Sequence, residues 1–314
     1  MGLRGKDLLG LQDLTAEEIQ LILDTAKPCK EILSRTIKKT PALRGKAVAN
    51  VFYEPSTRTR NSFEMAAKTM SADVINVAVA QSSVKKGESL IDTAETLRAI
   101  GADVIVLRHY AAGAAAFLAR HIDICVINAG DGWHEHPTQA LLDLFTILEH
   151  KAQIAGLKVL IVGDILHSRV ARSNIWGLTK LGAEVYVAGP PTLIPTGIEK
   201  LGVQVVYDLD KYLPQMDVVN LLRVQRERHH RAVFPSIRDY VRSFGLHKDR
   251  LKLLSDDCLI LHPGPTNLGV EITPDVVEDP RAVITEQVTN GVAVRMALLY
   301  LLLAGGRKID ESVD

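Results

Sequence analysis

Residues Ser56-Thr57-Arg58-Thr59-Arg60 put three hydroxyls and two guanidinium groups into five positions. They follow the apolar run Val48-Ala49-Asn50-Val51-Phe52-Tyr53 and Pro55, which stops a strand, and Ser56 stands where a helix N-cap belongs. A first helical turn has unpaired backbone N–H groups and the positive end of the macrodipole. Arginines there oppose the dipole, so stability alone would favour Asp or Glu. Hydroxyls, guanidinium groups and helix N–H groups together make a phosphate site.

Other chemistry-bearing residues sit at similar strand ends. His136-Pro137-Thr138-Gln139 opens a helix, with Pro137 at a first-turn position where its missing N–H is harmless. His136 then stands at the helix mouth, able to polarise a carbonyl or move a proton, although capping accounts for the same histidine. Gly163-Asp164 follows an apolar run, but Ile165-Leu166-His167 lacks the further glycines of a dinucleotide fingerprint. Arg169 and Arg172 head the next helix, where either an anion or solvent would satisfy them. Arg223-Val224-Gln225 ends a buried run; strand alternation would project Arg223 and Gln225 to one face as a carboxylate receptor, or Arg223 is a surface arginine. His262-Pro263-Gly264-Pro265 is a rigid turn whose proline nitrogens donate nothing, so its carbonyls suit an amine. The loop Ser82–Glu88, with Lys85 and Lys86, reads by itself as solvated.

The elements that must carry these groups alternate. Strands are expected at Ala47–Tyr53, Val74–Val79, Val104–Leu107, Ile124–Asn128, Lys158–Val162, Glu184–Ala188, Val203–Val206, Val218–Leu222 and Leu259–Leu261. Several are continuous Val/Ile/Leu runs, as parallel strands covered on both faces require. Helices are expected at Thr15–Leu33 (with a Thr15/Glu18 capping box), Thr59–Met70, Leu90–Ile100, Thr138–Glu149, Arg169–Leu181 and Val292–Leu303. The pattern predicts an α/β protein of two domains, each a parallel sheet flanked by helices, with the linker His150–Gly156 between them. Ligands of open parallel sheets bind beyond the carboxyl ends of strands, so the polar clusters predict one active site in the cleft between the domains.

Composition narrows the function. Lys plus Arg equals Asp plus Glu at 37 each, so the charge footprint of a nucleic-acid binder is absent. The one dense basic stretch, Arg223–Arg231, is too short for such a groove. Cys29, Cys125 and Cys258 lack zinc-ligand spacing, and an odd, scattered set suits a reducing compartment. No signal-peptide h-region opens the chain, and the longest apolar candidate, Ala297–Ala304, falls far short of a membrane span. A cytoplasmic location is expected.

In this order along the chain, Ser-Thr-Arg-Thr-Arg at 56–60, Arg108, His-Pro-Thr-Gln at 136–139, Arg-Val-Gln at 223–225 and His-Pro-Gly-Pro at 262–265 resemble the carbamoyltransferase family. The last motif and the Lys86 loop resemble its aspartate members; ornithine members typically carry His-Cys-Leu-Pro. The resemblance covers nearly the whole chain. It implies carbamoyl transfer from carbamoyl phosphate to L-aspartate, the committed step of pyrimidine biosynthesis, with no metal or organic cofactor. It implies a carbamoyl-phosphate domain over residues 1–150, with a terminal helix at about 291–305 packing back on it, and an aspartate domain over 151–290. Ser56, Thr57, Arg58 and Thr59 would hold the phosphate. Thr59, Arg108 and His136 would donate to the carbonyl oxygen, and Gln139 would orient the carbamoyl nitrogen. Arg169 would take the α-carboxylate of aspartate, Arg223 and Gln225 its β-carboxylate, and Pro263, Gly264 and Pro265 would face the amine. Ser82 and Lys86 would enter a neighbouring subunit's site, which implies a homotrimer with shared sites. Regulatory chains or a dihydroorotase are conceivable further partners; nucleic acid and membrane are not expected. Family members often have Arg where this chain has Leu268, a departure that speaks against a loop-anchoring ion pair at that site.

Two other readings compete. An ornithine carbamoyltransferase would leave Arg223 and Gln225 without a side-chain carboxylate to bind. A non-catalytic scaffold paralogue would have lost phosphate-site residues, and all are present.

Overall fold

The computed structural model describes residues 2–77, 88–224 and 235–304. It divides into two compact units, one formed by residues through Leu142 together with those from Val288 onward, the other by Asp143–Gln287.

The first unit opens with α1 (Ala16–Ser34), whose Thr15 Oγ1 accepts from the Glu18 N–H while the Glu18 carboxylate accepts from the Thr15 N–H, a complete capping box. There follow β1 (Ala47–Phe52), α2 (Thr57–Thr69), β2 (Asp73–Val77), α3 (Leu90–Ala99), β3 (Val104–His109), α4 (Ala114–His121), β4 (Cys125–Asp131) and α5 (Pro137–Lys151). All four strands are parallel, in the order β2-β1-β3-β4. Val51, Ile105, Leu107 and Val126 of the sheet pack with Leu97 of α3 and Leu118 of α4. Burying such runs on both faces is the main stabilising term, at about 25 cal/mol per Å² of apolar surface.

The second unit contains β5 (Lys158–Val162), α6 (Arg169–Lys180), β6 (Glu184–Ala188), β7 (Val203–Val206), α7 (Leu209–Tyr212), β8 (Val218–Leu221), α8 (Ile237–Phe244), α9 (Lys248–Leu251), β9 (Leu259–Leu261) and α10 (Pro274–Val277). Its sheet is again parallel, in the order β7-β6-β5-β8-β9. Tyr240 and Phe244 of α8 pack into its core with Leu160, Val219 and Ile260. The last helix, α11 (Ile284–Leu303), begins in the second unit and ends in the first.

Each sheet has one switch point. Connections leave β1 towards β2 and return on its other side at β3; they leave β5 towards β6 and return at β8. Loops after β1 and β3, and after β5 and β8, therefore diverge and open a crevice at the carboxyl edge of each sheet.

Several expectations need correction. The last helix starts at Ile284, not Val292, because the polar stretch Thr285–Asn290 continues it. β4 runs on past Asn128 to Asp131, and the turn begins at Gly132, whose φ is +48°. β3 runs on through Arg108 and His109. β8 stops at Leu221, so strand alternation does not govern Arg223. Helices α4 and α8 were not expected: the first is mostly alanine, and the second is short and highly charged. No helix among the described residues is long and apolar enough to cross a membrane.

Candidate active site

The first cluster forms around α2. Ser56 occupies the N-cap position, yet its side chain makes no capping bond, and the first turn contains no acidic residue. Thr57, Arg58 and Arg60 are exposed and Thr59 is buried. Two arginines at the positive helix end cost about 0.3–1 kcal/mol each, a cost that an anion at this terminus reverses. The pairing of β1 with β3 sets Arg108 beside Phe52, and the Tyr53 N–H donates to the Arg108 carbonyl at 2.8 Å. The Arg108 guanidinium lies 3.4 Å from the Glu54 carboxylate and donates to the Ala129 carbonyl of β4 at 3.4 Å. Register thus places a third cation at the same sheet edge as the α2 terminus.

His136 immediately precedes α5 and is only 4% exposed. Its backbone carbonyl accepts from the Gln139 and Ala140 N–H groups at 3.0 and 3.3 Å, the first bonds of α5. Two buried carboxylates stake the turn that carries it. Asp131 accepts from Asn128 Nδ2 (2.8 Å), Gly113 N (2.6 Å) and Glu135 N (3.1 Å), and lies 3.1 Å from His134 Nδ1. Glu135 accepts from the N–H groups of Leu11 and Gln12 at 2.8 and 3.2 Å. A Cβ at Gly10 would collide with that carboxylate. Burial by itself would raise the Asp131 carboxyl, but bonds from His134, Asn128, Gly113 and Glu135 outweigh it and hold the group below its usual range.

Arg295 of α11 braces this unit from beneath. It is 3% exposed, donates to the Gly291 carbonyl (2.9 Å) and Thr138 Oγ1 (3.2 Å), and lies 5.2 Å from the centre of the Phe63 ring of α2. One cation thus links α2 to the helix behind His136. A Cβ at Gly291 would sit 2.5 Å from its guanidinium, which explains a glycine in mid-helix.

The second cluster lies at the switch point of the other sheet. After β5, Gly163 adopts a φ of +137°, where a Cβ would press on Leu222. Asp164 then accepts from the His167 N–H at 3.1 Å and lies 3.0 Å from its ring Nδ1. Ser168 caps α6 through Oγ, accepting from Ala171 N at 3.1 Å, and Arg169 is the buried first residue of that helix. After β8, Arg223 is half-buried and its Nε donates to Asn267 Oδ1 at 3.4 Å. Asn267 follows the Pro263-Gly264-Pro265 turn, in which Gly264 has a φ of +62° and donates its N–H to His262 Nδ1 at 2.8 Å. Leu268 is exposed, and its backbone bridges to Ile272. Ser82, Lys86 and Gln225 lie outside the described residues. The residues missed from sequence are Glu54, Asp131, Glu135, Asn267 and Arg295: each acts through a partner remote in the chain, except Glu54, which borders the first motif.

The buried thiols Cys29, Cys125 and Cys258 are each pushed up to about 12 by burial, so none is a nucleophile at neutral pH. Among the described residues no group of His, Cys, Asp and Glu could hold a metal ion.

Comparison with known proteins bears on both units. Residues 6–149 match the family described as aspartate/ornithine carbamoyltransferase, carbamoyl-P binding domain, and residues 155–302 match its Asp/Orn binding domain. The chain belongs to the aspartate/ornithine carbamoyltransferase family. It is 64% identical over 305 residues to the aspartate carbamoyltransferase catalytic subunit of Moorella thermoacetica, covering 97% of this chain and 99% of that one. Among solved structures it resembles aspartate transcarbamoylase from Trypanosoma cruzi in complex with N-(phosphonacetyl)-L-aspartic acid, with TM-score 0.86 and 29% identity over 95% of this chain and 96% of that one. It equally resembles ornithine carbamoyltransferase from Pyrococcus furiosus, with TM-score 0.86 and 34% identity over 98% and 100%. The carbamoyltransferase fold alone therefore does not separate the two acceptors; the acceptor-side residues must.

The Asp131 network has a pH signature. A depressed carboxyl contributes stability that is fully present above its unfolded value of about 3.9 and is lost as pH falls through the folded value. Asp131→Asn is expected to cost about 1–3 kcal/mol at pH 7, with the gap to the wild type narrowing below about pH 4. Urea unfolding from pH 7 to 3 measures it; a gap independent of pH contradicts the assignment.

Proposed function

We propose that this carbamoyltransferase moves the carbamoyl group of carbamoyl phosphate to the amine of L-aspartate, giving N-carbamoyl-L-aspartate and phosphate. The observation that carries the acceptor choice is the pair of guanidinium groups, Arg169 and Arg223, that follow the adjacent strands β5 and β8. Aspartate has one carboxylate for each; ornithine has one carboxylate in all. The identity to relatives named aspartate carbamoyltransferase catalytic subunit supports the same choice. The reaction forms the committed product of pyrimidine biosynthesis.

Each cluster has a role in this reading. Ser56, Thr57, Arg58 and Thr59 bind the phosphate through hydroxyls, guanidinium and helix N–H groups. Arg108 spans the phosphate and the carbamoyl oxygen. As the amine attacks the carbamoyl carbon, that oxygen gains charge, and Thr59, Arg108 and His136 donate to it. Gln139 orients the carbamoyl nitrogen. The phosphate leaves with the electron pair of the broken C–O bond and takes up the proton that the attacking amine gives up. Pro263, Gly264 and Pro265 present carbonyls to the amine, and Gln225 assists Arg223. Ser82 and Lys86 come from a neighbouring copy, making the enzyme a homotrimer. The three free thiols suit a cytoplasmic setting.

With carbamoyl phosphate and a panel of amino acids, L-aspartate is expected to be carbamoylated far better than L-ornithine. A carboxylate receptor left empty costs on the order of several kcal/mol. Preference for ornithine overturns the reading. His136→Ala is expected to lower kcat by roughly 10²–10³ with carbamoyl phosphate affinity little changed; wild-type turnover would leave His136 a structural residue. Lys86→Ala and Arg58→Ala are each expected to be nearly inactive, yet to regain activity when mixed, dissociated and reassembled, since a hybrid trimer rebuilds complete sites. Hybrid trimers confirmed by mass but without activity would refute shared sites.

A further inference from the structure

The acceptor side of the second unit contains a residue whose geometry goes beyond turn formation. Asn267 uses all four of its polar groups inside that unit; its carbonyl accepts from the Val270 N–H at 3.0 Å. Its Oδ1 accepts from Arg223 Nε (3.4 Å), its Nδ2 donates to the Val224 carbonyl (3.0 Å), and its N–H donates to Glu271 Oε1 (2.6 Å). The side chain thus grips the segment after β8 at two adjacent residues.

Behind it runs a buried chain of bonds. Glu271 Oε1 lies 3.1 Å from His262 Nε2, with both side chains inaccessible to solvent. Because Gly264 N donates to His262 Nδ1, that nitrogen is the acceptor and Nε2 carries the proton that faces Glu271. The His262 N–H donates to Gln287 Oε1 (2.9 Å), and Gln287 Nε2 donates to Asp143 Oδ1 (2.7 Å). Asn174 adds a second amide donor to Asp143 at 2.8 Å. Each donor in this series meets an acceptor, so the series is stiff in a medium of low dielectric.

We propose that Asn267 is a positioning residue that sets the orientation of Arg223 for the side-chain carboxylate of the acceptor, a role that rests on the reading of Arg223 given above. The 3.4 Å contact is long, so its value is directional: it holds the Nε edge and so restricts the plane in which the guanidinium can meet a bidentate partner. An amide oxygen does this without a formal charge. A carboxylate at position 267 would orient the guanidinium equally well but would neutralise it and compete with the substrate. The chemistry at 267 therefore contributes to the affinity for a dicarboxylate acceptor, while carbamoyl phosphate binding does not depend on it.

A mutant cycle on the full-length enzyme tests this. Asn267→Ala is expected to raise the KM for L-aspartate about tenfold, the size of one coupled orienting contact, with the KM for carbamoyl phosphate within about twofold. In an Arg223→Ala background the same substitution is expected to add nothing. Asn267→Ser, with the same expectation, replaces it if the alanine variant does not fold. Asn267→Asp is expected to raise the aspartate KM as well; a wild-type KM there overturns the need for a neutral acceptor. Equal effects of Asn267→Ala with and without Arg223 make Asn267 a turn residue and overturn the proposal. If Arg223→Ala alone leaves the aspartate KM unchanged, the reading of Arg223 itself falls. If Arg223→Ala raises it and Asn267→Ala does not, only the role of Asn267 falls.

Discussion

Placing cations at the positive end of a helix is the constraint around which the first unit is organised. Arg58 and Arg60 stand in and beside the first turn of α2, and no acid in that turn offsets them. Arg108 arrives at the same edge because β3 pairs with β1. Such a cluster persists only if the scaffold holds it, since its own electrostatics oppose folding. The scaffold is visible: four parallel strands fix the edge, and Arg295 bridges α2 and α5 with a buried guanidinium. In the function proposed here, an anion at this terminus would turn that stability cost into affinity.

The second unit handles charge differently. Asp143 is fully buried and ionisable, yet Asn174 and Gln287 donate to it, and the bonds continue through His262 and Glu271 to Asn267. A buried carboxylate without donors would cost several kcal/mol. With them it becomes an anchor for the turn at 262–265 and the loop after it. Through Asn267 the anchored loop reaches the half-buried Arg223, so rigidity built deep in the unit extends to that guanidinium.

Both units use the same topological device. A parallel sheet that reverses its strand order opens a crevice at the reversal. Arg108 lies at the carboxyl end of β3 and the α2 terminus follows β1; Arg223 and Arg169 follow β8 and β5. The two units match the carbamoyl-P and the Asp/Orn binding domains of the family, and each carries a cluster of cations at its own reversal.

The chemistry-bearing motifs and the α/β alternation were legible in the sequence because they are local. Val/Ile/Leu runs mark buried strands by composition, the Thr15/Glu18 pair marks a cap, and Ser56–Arg60 violates a dipole rule within five residues. Helix α4 escaped because a run of alanines has no apolar periodicity, and the start of α11 escaped because its first two turns are polar. Strand order, and with it the meeting of Arg108 with the α2 terminus, was not legible: pairing depends on side-chain packing between runs dozens of residues apart. The same reason hid Asn267, Glu271, Glu135 and Arg295, whose types are ordinary at their positions and whose meaning comes from partners such as Arg223, His262, Leu11 and Thr138. Sequence by itself determined which groups could do chemistry, since side-chain type is a property of one position. Only the tertiary structure decided which of them meet, because a distance between two residues is a property of the whole packed chain.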